Sequence, residues 1–206
     1  LASAADDCGC GFDENSTCKV LAKGWYANAL AEVTPEQCQW MGSLPGMIRG
    51  SIGGRSFIAL HGAVSRDNRF LFASSPVEEY AEELALLATE TPLPEFIFAG
   101  HCGIPFQRVV GETRWLNAGS VGLPANDGTS DGWYMLIEER DGGLAISWHR
   151  LDYDWRLSQQ RMQAAGLCDG YDACLQSGRW PSEDVLPQRE RRHAGQPLNL
   201  APLFIS

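Results

Sequence analysis

The 206-residue sequence has no apolar run of membrane-spanning length. Its first twenty residues lack the charged-then-apolar order of a secretion signal. Basic residues are scarce: Lys and Arg number 16 against 26 Asp and Glu, a formal net charge of −10. That leaves no basic stripe for nucleic acid or an anionic membrane surface, and neither is expected as a partner. Seven cysteines are an odd number, and their positions (8, 10, 18, 38, 102, 168 and 174) match no simple disulfide framework. Reduced thiols and a cytoplasmic protein are the expectation. No internal repeat is visible. What the chain does have is 44% hydrophobic residues, seven of them Trp, which suffices for a packed core and excludes wholesale disorder. The length suits one domain with room for an appendage.

Residues 1–24 are polar, rich in Cys and Gly and without a period, so they are predicted as a loop region. Thr34-Pro35-Glu36-Gln37 is a helix start, with a capping threonine, proline at the first helical position and glutamine at the capping-box position. That helix is expected to reach about Ser43 and stop before Leu44-Pro45. Ser56–Leu60 and Glu95–Ala99 read as short buried strands. Between them, Pro76–Glu90 reads as a helix whose stripe is Tyr80, Leu84, Leu87 and Ala88. Glu78, Glu79, Glu82 and Glu83 load its N-terminal half, where the helix dipole favours negative charge. Further strands fit at Gln107–Val110 and Arg114–Leu116. Trp133–Glu138 and Leu144–Leu151 flank the turn residues Glu139–Gly143 as a hairpin. An amphipathic helix follows over Asp152–Ala165, and beyond Gly178 the chain is charged, proline-bearing and predicted to lie over the surface. Trp25, Trp40, Trp115, Trp133, Trp148 and Trp155 are expected as core or half-buried packing residues.

Two strands end in histidine. His61 follows Phe57-Ile58-Ala59-Leu60, and His101 follows Phe96-Ile97-Phe98-Ala99-Gly100. In open α/β sheets ligands bind at that carboxyl edge. Neighbouring strands lie about 4.8 Å apart, so imidazoles leaving adjacent ends can converge on one metal ion. Gly62, Gly100 and Gly103 let the backbone turn sharply there. The plainer alternative is two unrelated histidines hydrogen-bonded to backbone.

The segments "ALHGAVSRDNRFLF" (59–72), "FAGHCGIPFQRVV" (98–110), "WLNAGSVGLPANDG" (115–128) and "WYMLIE" (133–138) occur in that order. As an ordered set they resemble the second half of the calcineurin-like metallophosphoesterases, over roughly residues 25–150. The resemblance implies an α/β fold, a partial four-layer αββα β-sandwich flanked by helices. It divides the chain into a 1–24 loop region, a 25–152 C-terminal half of the phosphoesterase domain, and a 153–206 helix with a charged tail. It also implies hydrolysis of a small phosphorylated substrate, a phosphomonoester or phosphodiester, by a metal-bound hydroxide. By motif match, His61 and His101 are ligands of one of two divalent ions, which can be Mn, Fe, Ni or Zn. Asn117 and Ser120 of the "NAGSVG" loop are candidates for binding substrate; the alternative for each is a turn that only spaces strands.

Two departures from the family pattern bear on activity. The pattern Gly-His-x-His carries a second ligand histidine where this chain has Gly103. Cys102 is one replacement, a thiolate being a good zinc or iron ligand. An extended segment, however, turns Cys102 away from His101, which favours a small buried cysteine. Water, substrate or a single-metal site are the other options. Secondly, the chain contains no Asp-x-His, Gly-Asp or Gly-Asn, the motifs that supply the family's remaining ligands and general acid. With Leu1 not an initiator, the expectation is the C-terminal part of a longer phosphoesterase. Alone it is expected to have little esterase activity and an exposed apolar strand edge, and no catalytic residue is assigned. A non-catalytic remnant or ligand-binding module is the alternative.

Other candidates are weaker. His149 falls on the polar face of its strand. His193 lies in "RERRH", a solvated end or a phosphate-steering patch. Cys8, Cys10 and Cys18 lack paired zinc spacing, but their loop can overhang the site and shape substrate choice. Asp67 and Asn68 follow His61 closely, with surface loop the safer assignment.

Overall fold

A computed structural model describes residues 9–13, 15–88 and 92–206. Its order is α1 (Thr17–Glu32), α2 (Pro35–Ser43), β1 (Met47–Ile52), β2 (Arg55–Leu60), α3 (Val77–Leu87), β3 (Phe96–Ala99), β4 (Phe106–Val110) and β5 (Thr113–Asn117). Then come β6 (Gly132–Arg140), β7 (Gly143–Leu151), α4 (Trp155–Ala164), α5 (Tyr171–Ser177), α6 (Gln188–His193) and β8 (Leu203–Ile205).

Five strands form one sheet in the order β1-β2-β3-β5-β4, and three form a second, β6-β7-β8. β2, β3 and β5 are mutually parallel, with Phe57 opposite Phe96 and Ala99 opposite Asn117. The connection from β2 to β3 runs through α3, as parallel neighbours require. Alternation along the strands then sorts the core into two layers. Ile97 and Trp115 face α3 and pack with Tyr80, Leu84 and Leu87. Phe96 and Leu116 face the second sheet and pack with Trp133, Leu144, Ile146 and Trp148. The result is an α/β sandwich, helix on sheet on sheet; on the outer side of the second sheet Tyr134 and Leu136 stay exposed. Among the described residues no helix is long and apolar enough to cross a membrane.

The predicted capping box is present: Thr34 Oγ1 accepts from Gln37 N and Gln37 Oε1 accepts from Thr34 N. The hairpin of the second sheet is tighter than expected. Arg140 pairs with Gly143, leaving only Asp141-Gly142 in the turn, both at positive φ. Such a turn matches the strand twist, so pairing continues through Glu139. His149 is on the outer face as expected, its ring stacked on Tyr134 and its Nε2 2.7 Å from Ser147 Oγ.

Several expectations are overturned. Residues 17–24 are helix, not loop: Ser16 caps α1, and Cys18, Ala22 and Tyr26, spaced by four, are its buried face. The boundary drawn at residue 24 therefore cuts a helix. The region after Gly178 is not merely a surface tail, because Leu186 enters the α3-side core and Leu203–Ile205 pairs with β7. Trp40 is 62% exposed rather than packed, on a helix with no buried residue. Next to it in sequence, β1 is an edge strand missed by the sequence reading, with Ile48 57% exposed. Glu83, one of the four glutamates expected to load the N-terminal half of this helix, is fully buried. Cys8 and the expected end of the α3 helix at Glu90 lie outside the described residues.

Candidate metal centre

β2 and β3 end side by side, and the ladder between them continues one step further, with Gly100 N donating to His61 O at 2.8 Å. Both histidines thus leave the same sheet edge. His101 Nδ1 lies 3.1 Å from His61 Nε2, the ring centroids are 5.0 Å apart and the planes are 65° to one another. At 3.1 Å the two nitrogens are within hydrogen-bond distance of each other, a separation that two imidazoles holding one ion would also allow. The donor pair fits one side of a divalent cation. Among the described residues no group of three or more His, Cys, Asp or Glu could complete the set.

His61 is exposed, whereas His101 faces inward with its Nε2 buried and without a hydrogen-bond partner. Burial, and secondarily the adjoining His61, push the His101 imidazole down to about 4. It is neutral at physiological pH, the form that binds metal. Its φ of 58° is a left-handed conformation uncommon for a non-glycine residue. The turn is held from below by Asn117, only 1% exposed, whose Nδ2 donates to Gly100 O at 2.6 Å and to Cys102 Sγ at 3.3 Å. Its Oδ1 accepts from Gly119 N. Asn117 therefore has every side-chain polar atom engaged within the turn. Ser120 Oγ accepts from Gly122 N at 3.3 Å, and the residue is partly exposed.

Gly62 is needed next to His61, because a Cβ there would collide with the Asp67 carbonyl as the loop folds back. Gly103 has φ +71°, and a Cβ there would lie 3.2 Å from Trp180 Cζ2. A Cβ at this position would be crowded by the Trp180 indole, whose Nε1 donates to Pro124 O at 2.6 Å. Cys102 is 1% exposed within the α3-side core, its Sγ accepts from Asn117 Nδ2 at 3.3 Å, and burial pushes its thiol up to about 12. It is a packed thiol, not a substitute ligand. Replacing Gly103 by His is accordingly expected to cost about 1–3 kcal/mol, from left-handed strain plus crowding of Trp180. Denaturant unfolding of Gly103→His beside Gly103→Ala measures it, and zinc titration should show no gain in affinity.

Two contributors escaped the sequence reading. Phe70 lies against His101, centroids 4.2 Å apart, and belongs to a segment already singled out. Trp180 carried no signal, being 77 positions from Gly103 in the chain. Of the weaker candidates, Asn68 Nδ2 donates to Gly9 O at 2.7 Å, tying the His61 loop to the N-terminal segment. Asp67 is exposed, and His193 is exposed on α6.

This architecture is the fold found in a solved metallophosphoesterase. The chain is similar to a metallophosphoesterase from Sphaerobacter thermophilus, at TM-score 0.59 and 21% identity, over 82% of this chain and 70% of that one. It is also similar to a hypothetical protein from Pyrococcus horikoshii OT3, at TM-score 0.62 and 14% identity, over 82% and 68%. Identities this low establish the fold alone. Neither a protein-family model nor a curated protein matches the sequence.

Proposed function

We propose that the chain carries the two-histidine side of a metal-dependent phosphoesterase centre acting on a small phosphomonoester or phosphodiester. The observation that carries the reading is the convergence of His61 Nε2 and His101 Nδ1 at the carboxyl ends of adjacent parallel strands. A divalent Mn, Fe, Ni or Zn ion supplies positive charge for the phosphate and a water acidic enough to ionise near neutral pH. His61 and His101 hold that ion. Asn117 acts as a positioning residue by fixing the turn that presents His101, and Ser120 of the same loop is assigned to the phosphate. Among the described residues no carboxylate joins the pair to form a group of three.

Calorimetric titration with Zn²⁺ or Mn²⁺ tests this. Weak binding of one ion is expected, reduced at least about tenfold in His61→Ala and in His101→Ala, the scale that even outer-shell changes reach. Undiminished affinity in the double variant would remove the basis of the reading. Turnover of an aryl phosphate with Mn²⁺ is expected to be low, because two imidazoles without carboxylates hold the ion poorly.

A second reading, a non-catalytic ligand-binding module, is favoured by Trp180 crowding any side chain at Gly103. Asp-x-His and Gly-Asp motifs upstream of Leu1 in the parent gene favour the hydrolase; a gene without them favours the module.

A further inference from the structure

Beside the histidine pair is a cavity of about 390 Å³. Volumes of roughly 300–1,000 Å³ are typical of small-molecule sites. Its walls come from three separated parts of the chain. The N-terminal segment contributes Phe12, Leu21 and Trp25; the site loops contribute Phe70, His101 and Gly103; the C-terminal region contributes Met162, Tyr171 and Trp180. Phe12 and Phe70 stack with centroids 6.1 Å apart. The cavity is thus flanked by broad aromatic faces and aliphatic side chains. Among the described lining residues Asp169 is the only carboxylate, and no Lys or Arg is present.

Those features define the occupant. Aromatic and aliphatic walls favour a flat apolar group. An anion gains nothing from this lining and is repelled by Asp169. Tyr171 and Ser182 are polar lining groups too, but His101 is the one paired with the solvent-exposed His61, and the charged end of a ligand is assigned to that side. Cys10 and Cys18 also line the cavity, so the N-terminal segment forms part of its wall. The glycine at 103 has a second consequence here. Without a side chain at 103, Trp180 can close down on the loop, and its ring becomes part of the wall.

We infer that this cavity receives the aromatic, uncharged group of a phosphoester whose phosphate lies at the His61–His101 pair. The inference rests on the metal-centre reading above. It narrows the substrate to aryl or arylalkyl phosphoesters and disfavours sugar phosphates, whose hydroxyls would lose water without gaining partners.

The test uses the full chain with Mn²⁺ and two non-hydrolysable probes, 1-naphthylmethylphosphonate and methylphosphonate, compared by calorimetry. The naphthyl compound should bind at least about tenfold tighter, because burying its rings removes apolar area from water. Met162→Trp and Leu21→Trp fill the cavity from two different elements, α4 and α1. Each should erase that difference while leaving methylphosphonate binding unchanged, and two variants guard against one failing to fold. Equal binding of the two probes to the unmodified chain overturns the cavity assignment and leaves the metal centre standing. Naphthyl binding that is unaffected by EDTA and by His61→Ala, yet is lost in the Trp variants, overturns the placement of phosphate at the histidines.

Discussion

Glu83→Ala lowers the unfolding free energy by about 3–5 kcal/mol, the range for breaking one side of a buried ion pair. Glu83 is fully buried on α3, one position before Leu84 of the apolar stripe. Its carboxylate pairs with Arg69 and accepts from Ser65 N at 2.7 Å and Ser65 Oγ at 2.6 Å. Alanine leaves those donors facing an apolar layer with no acceptor. Arg69 keeps only its long contacts to Glu79 and Glu82, at 3.7 and 3.6 Å. For a protein of this size the loss corresponds to a melting-temperature drop of about 6–20 °C. The effect also reaches the site, because Ser65 and Arg69 belong to the loop that joins His61 to Phe70. Metal affinity should fall together with stability, although Glu83 touches neither histidine. A melting temperature within 2 °C of the parent, a margin well under the shift expected from about 3 kcal/mol, contradicts this account of the loop.

Arg150→Ala is expected to cost a similar amount, about 3–5 kcal/mol. Arg150 Nη2 bonds Asp127 at 2.9 Å and the Leu198 carbonyl at 2.8 Å, Nη1 bonds Thr129 Oγ1 at 2.6 Å, and the guanidinium lies 4.5 Å from the Trp133 ring centroid. Asp127, 1% exposed, also accepts from the Leu198 and Thr129 backbone. This cluster joins the loop after Asn117, the second sheet and the C-terminal region. Burial alone raises the Asp127 carboxyl, but the Leu198 N–H, Thr129 and Arg150 outweigh it and hold the carboxyl below its ordinary value. A lowered folded-state pKa means that the unfolded chain binds the extra proton first as pH falls. The stabilisation is therefore present above the unfolded value of about 3.9 and disappears as pH falls through the folded one. Removing Arg150 takes away one of the lowering causes, so acid unfolding should begin at higher pH. Melts recorded between about pH 2.5 and 7, spanning that unfolded value, check it. Parallel pH profiles for parent and variant contradict it.

The elements legible in the sequence are those governed by neighbours along the chain. Thr34 and Gln37 meet across one helical turn, so the capping box forms whatever surrounds it. The α3 stripe and the alternation in β3 and β7 assign faces through period alone, which is why His149 could be placed outward. β1 and β8 were not legible, because Arg49 and Ser51, or three residues at Leu203–Ile205, become strand only when an existing edge offers hydrogen bonds. Glu83 shows the limit of periodicity. Four glutamates on one helix look alike in sequence, and only the arrival of Arg69 and Ser65 makes one of them a core residue.

By itself the sequence determined that His61 and His101 follow two strands, that glycines flank them, and that position 103 offers no side-chain donor. Those are local properties, set by residue type and spacing. The strand before His61 is half-buried rather than buried, with only Ile58 fully enclosed. Tertiary structure alone decided that the two strands are neighbours, that the rings meet at 3.1 Å, and that Trp180 crowds any side chain at 103. The reason is distance along the chain: 40 and 77 positions separate those partners, and nothing in a local pattern specifies which remote surfaces pack together.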